Sequence, residues 1–98
     1  MPGVRNTIVL LSNAAATGNP FKVDIGGTYF WMVQGTFAGA TVDLRILGPD
    51  GTNYILVTGT ALTANGMVSV DLPSGATVKA QVTAGPPSGI YASLSLIG

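Results

Sequence analysis

Apolar and polar residues alternate with a period of two through much of the chain. The clearest segments are residues 21–25, 41–46, 77–83 and 90–96. Successive side chains of a β-strand point to opposite faces of a sheet, so this period predicts strands that are buried on one face only. The polar members of these segments, Asp43 among them, are expected to face solvent. Half-buried strands of this kind are typical of antiparallel sheets.

Turn-forming residues separate these segments at short intervals. They occur at Gly26-Gly27, Ala38-Gly39, Pro49-Asp50-Gly51, Asn65-Gly66, Pro73-Ser74-Gly75 and Gly85-Pro86-Pro87-Ser88-Gly89. This spacing is close to the roughly 8–12 residues typical of sandwiches and barrels. The sequence therefore predicts an all-β fold, a compact antiparallel β-sandwich or jelly-roll-like barrel of about eight short strands. We expect residues 1–98 to form one domain, with residues 1–20 as an N-terminal arm or an edge strand followed by a mobile loop.

Three segments are apolar at every position and so break the alternation. They are residues 8–11, 29–33 and 54–57. Each sheet of a sandwich has one inward face, so half of these side chains need cover from elsewhere. The cover could come from the same chain, in a barrel or under a loop, or from a subunit interface. The interface candidates are Ile8, Leu10, Tyr29, Phe30, Trp31, Met32, Tyr54 and Ile55.

The charge content favours the interface. Four basic and four acidic residues give a net charge of zero, and charged residues make up 8% of the chain, against about 25% in ordinary soluble domains. A folded monomer of this mass exposes on the order of 5,200 Å², or one charge per roughly 650 Å². Such a surface promotes association, so we expect a homo-oligomer.

The chain lacks the residues that most catalytic and metal sites need. It contains no His, Cys or Glu, and its four aspartates are far apart in the sequence. We therefore expect no enzymatic activity, no cofactor and no metal site. In the hairpin, turn formation explains Asp50 and Asn53 better than Ca²⁺ binding does.

The composition also argues against several classes of partner. Four scattered basic residues do not form a nucleic-acid surface, and no apolar run is long enough to cross a bilayer. Tyr29, Phe30 and Trp31 could form a platform on which a sugar stacks. Packing in the core or at an interface is the favoured interpretation, because consecutive strand residues point to alternate faces.

Several motifs occur in a recognisable order. They are Gly27-Thr28-Tyr29-Phe30-Trp31, Gly35-Thr36-Phe37-Ala38-Gly39-Ala40-Thr41-Val42-Asp43-Leu44, Pro49-Asp50-Gly51-Thr52-Asn53-Tyr54, Leu72-Pro73-Ser74-Gly75 and Pro87-Ser88-Gly89-Ile90-Tyr91. In this order they resemble small β-proteins encoded in the structural gene clusters of tailed bacteriophages. The likeness covers roughly residues 25–97, and the first 20 residues carry no motif of that family.

The resemblance implies a capsid decoration, or cement, protein that stabilises the phage head. Such a protein would be made in the host cytoplasm and would sit on the capsid surface of the virion, often as a trimer. Its partners would be its own copies and the major capsid protein. Two alternatives stay open: a tail or head-fibre component, and a β-sandwich module that binds carbohydrate or a host surface.

Overall fold

Eight strands form two antiparallel sheets in the computed structural model, which describes residues 7–97. The strands are β1 (Thr7–Ala14), β2 (Phe21–Lys22), β3 (Gly27–Thr36), β4 (Thr41–Leu47), β5 (Tyr54–Leu56), β6 (Gly66–Leu72), β7 (Thr77–Thr83) and β8 (Ser88–Leu96). The strand order is β1-β8-β3-β6 in sheet A and β2-β7-β4-β5 in sheet B. The predicted all-β fold is confirmed.

The connections between strands define the architecture. Only β4 and β5 are consecutive strands of one sheet in the described part of the chain, and every other connection crosses between the sheets. Two four-stranded sheets joined in this way form a jelly roll. Each sheet therefore has one inner face, which packs against the other sheet, and one outer face.

The core lies between the sheets and centres on β3. Tyr29 and Trp31 are fully buried there, because the odd-numbered residues of this strand point inward. The indole nitrogen of Trp31 donates to the carbonyl oxygen of Thr60 at 2.8 Å. The hydroxyl of Thr60 accepts from the amide of Leu44 at 3.0 Å and donates to the carbonyl of Val57 at 2.7 Å. The polar groups that enter the core here therefore have partners.

Strand β1 is buried differently from a regular strand. Its register with β8 shifts between Val9 and Leu11 and again between Leu11 and Ala14. The first shift lets both Leu10 and Leu11 point inward, with 8% and 4% exposure, whereas Val9 points outward with 61%. An extra residue in one strand of a pair reverses the faces to which the later residues of that strand point. The apolar run 8–11 is therefore mostly core.

Strand β4 contains an aspartate that the alternation places in solvent. Asp43 is on the outer face of sheet B, but only 3% of it is exposed. The Nε of Arg45 donates to its carboxylate at 2.8 Å, and Gln81 lies opposite on β7. The expected exposure of Asp43 is wrong, because a neighbouring side chain covers and neutralises it.

The N-terminal segment is an edge strand followed by a loop. Strand β1 forms the edge of sheet A, and the loop after it lies against β7. The amide of Gly18 donates to the carbonyl of Ala80 at 3.0 Å, and the amide of Val82 donates to the hydroxyl of Thr17 at 3.0 Å. The loop, for which the sequence predicts mobility, is thus held by hydrogen bonds to β7. Residues 1–6 of the predicted arm lie outside the described residues.

Candidate interaction surface

The outer face of sheet A carries apolar and small polar side chains from all four strands. We call this surface the uncharged face. It comprises Thr7, Val9, Phe30, Met32, Gln34, Met67, Ser69, Tyr91, Ser93 and Ser95. The three most exposed large side chains on it are Met67, Val9 and Tyr91, which alternation alone turns away from the core. None of the ten residues is Asp, Glu, Lys or Arg.

The strand register arranges these side chains in rows. In one row, Val9 pairs with Ser93, Ser93 with Met32, and Met32 with Met67, so the row crosses the whole sheet. The short side chain of Ser93 lies between longer ones, and a shallow depression of about 540 Å³ opens over this part of the face. Tyr91 lines the same depression. The face is therefore both apolar and concave.

The charged residues lie elsewhere in the described chain, with one exception at the margin. Asp71 stands near the end of β6, where its carboxylate accepts a hydrogen bond from the hydroxyl of Thr28 at 2.6 Å. Four of the others are on the outer face of sheet B: Lys22, Asp43, Arg45 and Lys79. The two outer faces of the sandwich thus differ sharply in charge.

Three of these four charged residues, Asp43, Arg45 and Lys79, contact a neighbour on the same sheet. The hydrogen bond with Asp43 is the main cause that raises the pKa of Arg45 above its usual value. The ammonium of Lys79 lies 4.2 Å from the ring centroid of Tyr54, within the range of a cation–π interaction. These contacts tie Arg45 and Lys79 to neighbours on the same sheet.

The predicted interface residues fall into three groups. Ile8, Leu10, Tyr29 and Trp31 are in the core, with exposures of 8% or less. They cannot offer a contact surface in this fold, so the prediction is corrected for these four residues. Phe30 and Met32 are on the uncharged face.

The last two candidates lie on β5, at an edge of sheet B. Ile55 is 53% exposed, and Tyr54 is half-buried beneath Lys79. They are therefore separate from the uncharged face, because β5 pairs with β4 and belongs to the other sheet.

The sequence prediction missed three major residues of the face. Val9 belongs to the apolar run 8–11, and the sequence does not show which residues of that run point outward. Met67 lies between Gly66 and Val68, and Tyr91 lies between Ile90 and Ala92, so neither stands out in the sequence as a surface residue. The outward direction of Tyr91 is readable from the alternation in β8, but the meeting of both residues with Met32 depends on the strand order.

The structure also bears on the carbohydrate alternative. A sugar-stacking platform needs aromatic rings that are open to solvent. Tyr29 and Trp31 are fully buried, and Phe30 points to the opposite face of the same strand. The three aromatic residues therefore do not form a common platform.

Residues 7–97 contain neither a cluster of metal-ligating side chains nor a membrane-spanning helix. Within that range no three His, Cys, Asp or Glu residues come together as metal ligands. The described chain contains no helix with the length and hydropathy needed to cross a bilayer.

Comparisons with known proteins show the fold and nothing finer. No protein family matches the sequence, and no curated protein matches it. The globular domain of zebrafish complement 1qA protein is similar in structure, with a TM-score of 0.54. The alignment covers 96% of this chain and 97% of that domain at 16% sequence identity. At this identity the likeness supports a jelly-roll sandwich over almost the whole chain.

Proposed function

We propose that this protein is a structural subunit that works by assembling with copies of itself through the uncharged face. The observation that carries the proposal is the row Val9, Ser93, Met32 and Met67, which crosses the sheet without an ionisable group. Contiguous apolar patches on a monomer mark interaction sites. Aromatic residues and Met are enriched in interfaces and charged residues are depleted, as on this face.

A more specific form of the proposal is a virion protein that decorates the capsid. Its support is the resemblance of the motifs between residues 25 and 97 to small β-proteins of tailed phages. In this form three copies associate through their uncharged faces and the trimer binds the major capsid protein. A tail or head-fibre component would use the same self-association at another place in the virion.

Self-association is tested with a charge placed on the face at its β1 side. Val9→Arg puts a cation on an exposed position, so the fold should tolerate it, whereas burial of that cation between subunits is costly. Wild-type protein should sediment as a multiple of 9.9 kDa, and Val9→Arg should sediment at a lower mass than wild type because the face contact is lost. Thr52→Arg, at an exposed hairpin position, is the matched control and should assemble like wild type. A wild-type monomer at high micromolar concentration would refute the proposal.

The capsid role needs a separate experiment. Purified protein is mixed with empty heads assembled from the major capsid protein encoded beside this chain, and binding is measured by co-sedimentation. Binding that saturates at a fixed ratio to the capsid protein supports decoration. Assembly without head binding, or a gene neighbourhood without a capsid gene, refutes this form and leaves the self-association intact.

A further inference from the structure

The two sheets have four edges, and three of them are poorly suited to strand pairing. Strand β2 has 2 residues and β5 has 3, while β1 is interrupted by two register shifts. Short strands and bulges are devices that protect edges from pairing with other chains. Strand β6 has none of these devices. It runs for 7 residues, GMVSVDL, without Pro or Lys.

Strand β6 is also regular along its whole length. Its register with β3 is continuous from Gly66 to Leu72, and within residues 7–97 it pairs with no other strand. Its second edge therefore presents an unbroken row of backbone donors and acceptors. Such an edge is a template for another strand.

The hydrogen-bond pattern identifies which residues present these groups. The amide of Ile97 donates to the carbonyl of Thr28 at 2.8 Å, so even-numbered residues of β3 bond to β8. In an antiparallel ladder the direction alternates, and odd-numbered residues of β3 bond to β6. Their partners on β6 include Val68 and Val70. The backbone groups of Met67, Ser69 and Asp71 consequently point to the open edge.

The sequence of β6 is complementary to itself when two copies run antiparallel. With Ser69 opposite Ser69 of a second copy, Met67 faces Asp71 and Val68 faces Val70. Met67, Ser69 and Asp71, whose backbone groups point to the open edge, then lie opposite one another across the axis, as an antiparallel ladder requires. Valines meet valines on the core side, and the two aspartates are not opposite each other, which would be unfavourable.

From this edge we propose that β6 pairs with β6 of a second copy about a two-fold axis at Ser69. The pairing joins two four-stranded A sheets into one continuous sheet. It uses backbone groups at the edge, whereas the contact proposed above uses side chains at Val9, Met32 and Tyr91. The two contacts are therefore separable, and either can exist without the other.

A single introduced cysteine tests the axis. The chain has no cysteine of its own, and Ser69 is exposed. Facing residues of a hydrogen-bonded antiparallel pair have Cα atoms about 5.5 Å apart, within the roughly 4.4–6.8 Å that a disulfide spans. Ser69→Cys should form a disulfide-linked dimer under mild copper-catalysed oxidation. Thr58→Cys, exposed in the loop after β5, should stay unlinked at the same concentration.

Combination with the face variant separates the two contacts. Ser69 belongs to the uncharged face, so a face contact could also bring two copies of it together. In the double variant Val9→Arg with Ser69→Cys, the disulfide should form as before. Loss of the disulfide in the double variant, or its absence in the single one, would overturn the β6 pairing. Loss in the double variant alone would show that the face contact had brought the two cysteines together, whereas absence of the disulfide in the single variant would not bear on whether the faces associate.

A proline variant tests the backbone hydrogen bonds directly. Ser69→Pro removes an amide that points away from β3, so the ladder inside the monomer stays intact. In the Val9→Arg background, dimerisation should weaken about tenfold or more, since hydrogen bonds are lost on both sides of the axis. Ser69→Ala keeps the amide and should dimerise like its parent. Equal dimerisation of the two variants, with both folded by circular dichroism, would refute the pairing.

Discussion

Trp31 and Met32 are neighbours on β3 and have opposite environments. The sequence shows that consecutive strand residues must face apart, but it does not show which of the two faces the core. The structure assigns Trp31 to the core, with no exposed area and a hydrogen bond to Thr60, and Met32 to the uncharged face. The deciding factor is the pairing of β3 with both β6 and β8, which one sequence does not reveal.

Substitution of these two residues should separate stability from assembly. Trp31→Ala removes a buried ring and should lower the free energy of unfolding by about 3–5 kcal/mol. Met32→Ala should leave the monomer nearly as stable as wild type and weaken self-association by about 2 kcal/mol, as expected for a central interface residue. Denaturant unfolding and sedimentation equilibrium measure the two quantities. Equal destabilisation by both variants with unchanged assembly would contradict the assignment.

At the scale of single elements, Gly35 in β3 shows how a bulge constrains the sequence. Gly35 lies at the register shift between Gln34 and Thr36, with a φ of 147°. A Cβ atom at this position would be 2.5 Å from the carbonyl oxygen of Gly89. Both the backbone conformation and the close approach therefore require glycine.

Gly35→Ala should destabilise the fold by more than the same change in an open turn. The strained backbone and the clash should together lower the free energy of unfolding by about 1–3 kcal/mol or more. Gly39→Ala is the matched control: its φ is 87°, but no atom lies within 4 Å of the added methyl group. Its cost should be limited to about 1–2 kcal/mol of backbone strain. Thermal and urea unfolding measure the stability of both variants. A lower stability of Gly39→Ala than of Gly35→Ala would contradict the prediction.

The turn of the β4–β5 hairpin contains a hydrogen-bonded carboxylate. The Asp50 carboxylate accepts hydrogen bonds from the amides of Thr52 and Asn53 at 2.9 and 3.0 Å and from the Asn53 side chain at 2.8 Å. These bonds, the one from Thr52 first, hold the pKa of Asp50 below its ordinary value. A group with a lowered pKa stabilises the folded state above its unfolded pKa and loses that contribution as pH falls.

We therefore expect stability to be level between pH 5 and pH 8 and to decline below about pH 4. The chain has no His to titrate in the upper range. Asp50→Asn keeps an acceptor for the turn but loses the ionisation, so its stability should fall less steeply in acid. Melting temperatures at several pH values give the comparison. An identical acid profile for the two proteins would rule out a contribution from Asp50.

The elements were predictable to the extent that they follow local patterns. The period of two located β4, β7 and β8, and the turn residues gave the number of strands and the Asp-Gly hairpin. Only Phe21–Lys22 of the predicted segment 21–25 is strand, and no segment was predicted for β6. The bulge in β1 was not predictable, because Leu10 and Leu11 turn inward through packing against the other sheet. The burial of Asp43 was also missed. The alternation correctly places Asp43 on the outer face of sheet B, but it does not show that the side chain of Arg45 covers the carboxylate there.

At the scale of the whole molecule, residues 7–97 form a body of 40 × 35 × 20 Å with two broad faces. The sequence shows that the chain has few charges and no net charge, and this composition predicts that copies of the chain associate. It does not indicate that the charges are sorted between the faces. That sorting depends on the strand order, which places β1, β8, β3 and β6 side by side and puts Arg45 and Lys79 on the other sheet.

An uncharged contact has a consequence for how assembly responds to ions in solution. Exposed ion pairs are screened within about 10 Å at 0.1 M salt, so assemblies held by them dissociate as sodium chloride is added. The row Val9, Ser93, Met32 and Met67 offers nothing to screen. The dissociation constant should therefore stay constant between about 0.05 and 0.5 M sodium chloride, and sodium sulfate should tighten it, because excluded salts favour apolar burial. Calorimetric dilution should also show a negative heat-capacity change on association. Weaker association with rising sodium chloride would mean that charged residues on sheet B, and not the apolar rows of sheet A, hold the subunits together.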